Sequence, residues 1–191
     1  MGQRLCVMFP LLASQRTVRH SRTGAVVKDK KECTNGLLHT RTLATVVPQP
    51  IDRSHDMAST QASIDIPASA DQVWNLVAGF NSLAQWLPMI QHSEAQEHGR
   101  LRHLTTVDGT VIVERLESYD NAARTYSYSI TEGPFPVTDY LATLKVIEVD
   151  AGNSRVEWGG QFTPAGITDA EAVEIFDGVY QGGLQALRDN F

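Results

Sequence analysis

The chain has 191 residues and a formal net charge of −6, with 42% hydrophobic and 20% charged residues, the make-up of one globular domain plus an extension. The charge is unevenly spread: residues 1–56 carry nine Lys and Arg against four acids, a net of +5, and the remainder carries seven against eighteen, a net of −11. So acidic a remainder is a poor partner for nucleic-acid phosphates, no apolar run reaches the roughly 18 residues of a membrane span, and two cysteines (Cys6 and Cys33) without His-x-x-x-His spacing imply neither a disulfide framework nor a metal site.

Residues 1–57 show no sustained apolar period, and residues 1–28 contain no acid. This stretch reads as a disordered leader, as the product of a start upstream of Met57, or as an organelle transit peptide. The folded domain is expected over 58–191. Its place is the cytoplasm, or an organelle if residues 1–56 are a transit peptide.

Residues 61–66 alternate like a short strand that Pro67 ends. Ser69 followed three residues later by Gln72 predicts a capped helix start. Val73, Trp74, Leu76 and Val77 supply that helix's buried face, and Gly79 is placed to close it. A second short helix is expected from Asn81 or Ser82 to Trp86, stopped before Pro88. Six strands follow near 90–97, 100–107, 110–119, 124–131, 138–148 and 154–162. Asp108-Gly109 predicts a two-residue hairpin turn. Asp120-Asn121 and residues 150–153 predict further turns, and residues 133–136 a loop. From Thr168 or Asp169 onward, Val173, Phe176, Tyr180, Leu184 and Leu187 form one stripe of a helix of roughly 20 residues, about 30 Å long. Gly182-Gly183 inside it marks close backbone approach, room left for a ligand, or simply a weakened surface. The pattern is α+β: a curved antiparallel seven-stranded sheet around a long C-terminal helix, with two short helices after the first strand. A cavity between sheet and helix is the expected ligand site.

Three polar side chains fall on apolar strand faces. Strand side chains alternate with period two, so Arg102 lines up with Leu104, Glu114 with Ile112 and Leu116, and Tyr140 with Ala142, Leu144 and Val146. A cation, a carboxylate and a phenol in one apolar interior are costly unless they pair or meet a ligand.

Several strings together resemble one superfamily. Ile66-Pro67-Ala68-Ser69-Ala70-Asp71-Gln72-Val73-Trp74 is similar to its opening strand and helix, and Trp86-Leu87-Pro88-Met89-Ile90 to its next junction. Glu114-Arg115-Leu116 with Tyr126-Ser127-Tyr128, then Tyr140-Leu141-Ala142-Thr143, Val156-Glu157-Trp158 and residues 180–187, follow in order. The set resembles the polyketide cyclase/dehydrase branch of the START-like (Bet v 1-like, SRPBCC) superfamily over about residues 60–190, which implies a helix-grip fold. Members include aromatic polyketide cyclases, lipid carriers and hormone receptors. A branch similar to plant lachrymatory factor synthase places an Arg, a Glu and a Tyr in the cavity, and those types match at Arg102, Glu114 and Tyr140.

The expectation is a domain that binds a small hydrophobic molecule in an internal cavity. One reading is cofactor-independent cyclisation, dehydration or isomerisation: Arg102 stabilises negative charge on oxygen, Glu114 moves the proton, and Tyr140 orients the substrate oxygen. That chemistry needs neither metal nor organic cofactor. The alternative is a non-catalytic carrier or sensor of a lipid or hydrophobic metabolite, and a buried Arg102–Glu114 brace between strands is open beside both. Candidate ligand contacts are Trp86, Tyr126, Tyr128, Phe135, Leu144 and Tyr180. Four of them also have a plain reading: Trp86 packing the small helices, Tyr126 and Tyr128 in the core, Phe135 in a proline-stiffened turn.

Overall fold

The computed structural model describes residues 57–191; the leader and transit-peptide expectations lie outside the described residues. Strand β1 (Ala58–Ile66) points alternate side chains inward, and pairing with the last strand begins three residues earlier than the apolar alternation does, at Ala58 opposite Phe162. Helix α1 (Ala70–Val77) starts with the predicted capping box. Ser69 Oγ accepts the Gln72 N–H at 3.3 Å, and Gln72 Oε1 accepts the Ser69 N–H at 3.0 Å. Its end differs from expectation: Ala78 closes it in right-handed geometry, donating to the Trp74 carbonyl, and Gly79 is not the cap. One turn of helix, α2 (Leu83–Trp86), buries Leu83 and Trp86.

Six strands then run up and down: β2 (Ile90–Gln96), β3 (Leu101–Thr106), β4 (Val111–Asp120), β5 (Thr125–Glu132), β6 (Val137–Asp150) and β7 (Asn153–Pro164). Each pairs antiparallel with its neighbour, and β1 joins β7, giving the order β1-β7-β6-β5-β4-β3-β2. The β3–β4 hairpin has a three-residue loop instead of the expected two. Thr106 and Thr110 close it, Gly109 donates back to Thr106, and Gly109 takes φ +85°. The Asp108 carboxylate accepts the Thr110 N–H at 3.0 Å, which stabilises the longer turn.

Helix α3 (Asp169–Arg188) is capped by Thr168 and Glu171 and buries Ala172, Phe176, Tyr180, Gly183, Leu184 and Leu187 against the sheet. The two helical glycines separate here. A Cβ on Gly183 would come within 2.5 Å of the Trp158 ring, whereas one on Gly182 would meet nothing within 4 Å. Close approach of helix to sheet therefore accounts for Gly183 alone. No helix among the described residues is long and apolar enough to cross a membrane.

Candidate functional site

The β3–β4 register sets Arg102 directly opposite Glu114. Both point inward, with relative exposures of 1% and 6%, and Arg102 Nε donates to Glu114 Oε2 at 2.6 Å. Nη1 donates to the carbonyl of Phe80, in the turn between α1 and α2. The Phe80 ring covers the guanidinium at 4.1 Å, and Tyr128 lies 5.2 Å away. Nη2 is buried and has no hydrogen-bond partner among the described residues. Burial works against the charge on Arg102, but the Glu114 carboxylate and the phenols of Tyr126 and Tyr128 outweigh it, and its pKa ends above the ordinary value. The group is a permanent cation beside the Tyr126 phenol, whose pKa it pulls down against burial.

Tyr140 also points inward, and a β-bulge aims it. Thr138 pairs with Thr163 and Leu141 with Gln161, so β6 holds one residue more than β7 across this interval. Asp139 absorbs the extra residue at φ +53°. Val137 and Tyr140 consequently face inward together while Thr138 turns to solvent. The Tyr140 hydroxyl shares a 2.8 Å hydrogen bond with that of Tyr180. It makes none to Arg102 or Glu114, so the three residues that shared one sequence signal form two centres. Tyr128 adjoins both, its ring 6.1 Å from Tyr140, and its hydroxyl accepts the Trp158 indole N–H at 3.0 Å. Burial, reinforced by neighbouring phenols and by Glu114, raises the pKa values of Tyr128 and Tyr140 well above 10. Burial also raises Tyr180, against the pull of its bond to Tyr140.

The space between sheet and helix, expected as a cavity, is largely occupied by aromatic rings. Phe162 lies 4.5 Å from Phe176, Tyr140 4.8 Å from Phe176, and Trp158 5.4 Å from Tyr180. A cavity of about 180 Å³ lies at one end, beneath the 133–136 loop, lined by Ile130, Gly133, Phe135, Val137 and Tyr140 with Thr131, Glu132 and Thr138. Phe135 therefore lines it, resting 5.1 Å from Phe176. Leu144 is fully buried in the core. Tyr126 packs between Trp74 and Phe80. Trp86 sits edge-on to Trp158 at 6.0 Å, its own indole N–H unpartnered among the described residues. Sequence reading missed Phe80, whose carbonyl gives no signal in a chain of letters. It also missed Gly160, where a Cβ would collide with the Tyr180 hydroxyl; two adjacent glycines within a strand do signal close approach.

The model of a family described as "Polyketide cyclase / dehydrase and lipid transport" matches residues 57–191. The chain belongs to that family. XoxI from Bacillus cereus is 49% identical, with a TM-score of 0.69, the match covering 71% of this chain and 96% of that one. The ZhuI aromatase/cyclase from Streptomyces sp. R1128 is 19% identical, with a TM-score of 0.58 and coverage of 70% and 93%. A START superfamily protein from Mycobacterium smegmatis is 14% identical, with a TM-score of 0.58 and coverage of 70% and 96%. These last two are likenesses of fold alone, and that fold is the helix-grip, START-like fold expected from the sequence. No curated protein matches the chain.

Proposed function

We propose that the chain binds a small hydrophobic molecule at its aromatic interior and carries out cofactor-independent acid–base chemistry on it: cyclisation, dehydration or isomerisation. The observation that carries this reading is the unpartnered Nη2 of a fully buried arginine already paired through Nε to Glu114. A buried N–H without an acceptor costs about 1–3 kcal/mol, and a ligand oxygen bound there removes that cost. Such a donor is worth more in a site shielded from water, where it stabilises negative charge developing on oxygen. Glu114, fixed through Oε2, has its second oxygen for proton transfer. Tyr140, in the second centre, orients the far end of the substrate. Membership in a family that includes cyclases and dehydrases in its description supports the same reading.

Carriage without chemistry is the second reading, supported by the words "lipid transport" in the family's description and by the guanidinium's two existing bonds. Native mass spectrometry of the full chain from its own host, followed by extraction, identifies what is bound. That molecule is then offered to wild type and Glu114→Gln. Retained binding with turnover reduced at least 100-fold is the expected result. Equal fates of the molecule with both proteins would leave carriage as the function.

A further inference from the structure

Three buried phenols and one indole meet on the helix side of the interior: Tyr128, Tyr140, Tyr180 and Trp158. Their relative exposures are 2%, 6%, 0% and 3%. Together they bring four polar hydrogens and three oxygens, and make two hydrogen bonds. Trp158 donates to Tyr128, and Tyr140 and Tyr180 share one bond. A shared bond uses one of its two protons. The Tyr128 proton and one proton of the Tyr140–Tyr180 pair therefore have no acceptor among the described residues. Buried donors are almost always satisfied, so two in one place mark a centre that lacks an acceptor.

The surroundings define that acceptor. No formal charge lies in the phenol set, and the cation nearby, Arg102, is already paired with Glu114. A bound anion would have no free counter-charge in an apolar wall, which is costly. The complement is a neutral oxygen that accepts and does not donate. Of the three phenols, Tyr140 lines the cavity beneath the 133–136 loop. Its volume, about 180 Å³, is of the order of a cavity that holds benzene. Gly160 belongs to the same device, since any larger residue would displace the Tyr180 hydroxyl from the pair.

We infer that Tyr128, Tyr140 and Tyr180 form a second ligand centre, separate from the Arg102–Glu114 pair, that receives a neutral carbonyl-type oxygen of the bound molecule. The inference rests on the ligand-binding reading above. It narrows the ligand to a neutral, largely apolar molecule with a ketone, aldehyde or ester oxygen at the end that meets these phenols.

Acetophenone and ethylbenzene test it, being nearly equal in size and differing in the oxygen. Both are titrated into the full chain, with acetophenone labelled with ¹³C at its carbonyl. Acetophenone is the better hydrated of the two, so a site without donors favours ethylbenzene. The expected result is acetophenone binding about tenfold tighter, with its carbonyl resonance shifted downfield of its position in an apolar solvent. Tyr128→Phe and Tyr180→Phe, each checked for an unchanged fold by circular dichroism, should both reduce the preference and the shift. Equal or tighter binding of ethylbenzene to wild type overturns the phenol centre and leaves the ligand-binding reading standing. A preference unaltered in both variants overturns it as well. Failure of both probes to bind, with no molecule recovered from the native protein, overturns the two readings together.

Discussion

Arg102 and Glu114 illustrate how one pair can brace a fold and serve a site. Each alone in this interior is an uncompensated charge, so removing one partner is expected to cost about 3–5 kcal/mol. Arg102→Met and Glu114→Leu singly should each lower the urea midpoint by that equivalent, whereas the double variant should regain most of it and can exceed wild type. A double variant as unstable as the sum of the singles would mean that the two side chains are not coupled, and would contradict the pair as described. The two residues were legible as a pair of inward polar side chains because strand alternation is a local property. Their direct opposition was not, since it depends on the β3–β4 register. Tyr140 was legible as inward-facing and misread as a member of the same cluster: its partner Tyr180 comes from α3, forty residues on.

At the scale of elements, the bulge in β6 decides which side chains reach the cavity. Asp139 holds φ +53°, a conformation that Asp tolerates and β-branched residues do not. Asp139→Val is expected to cost about 1–3 kcal/mol, and Asp139→Gly to be neutral or slightly stabilising. Chemical denaturation of both variants checks this. Equal stability of the Val and Gly forms would show that the bulge is not held as described. Helix starts, strand spans and the loop at 133–136 were readable because caps, alternation and Pro-Gly punctuation act over a few residues. Bulges and the three-residue β3–β4 loop were not, because each is a compromise between a turn and the ladder beyond it.

For the whole molecule, pH reports on the packed interior. Tyr126, Tyr128, Tyr140 and Tyr180 all have pKa values raised by burial in the folded state. An unfolded phenol titrates near 10. The stabilisation from keeping these groups neutral is complete below that value and is lost as pH rises above it, because the unfolded chain then ionises first. Stability should therefore fall steeply above about pH 10, and the phenolate absorbance of these four should appear together with loss of the circular dichroism signal. Phenolate absorbance from four tyrosines at pH 11 with the fold intact would contradict their burial. At the acid end, Asp65 and Glu97, held low by hydrogen bonds from Arg155 and Arg115, contribute above about pH 4, and that contribution is lost as pH falls through their folded values.

The local order of this chain determined its elements, its α+β class and the inward direction of Arg102, Glu114 and Tyr140, because periodicity, capping and turn chemistry are written in neighbouring residues. Only the tertiary structure decided how those side chains were shared out. It bonded Arg102 to a carbonyl in the α1–α2 turn, set Tyr140 against Tyr180 of α3, and filled the interior with rings, leaving the described cavity at one end. Those outcomes depend on register, bulges and the distance between helix and sheet, and each of these is settled by packing between residues far apart in the chain.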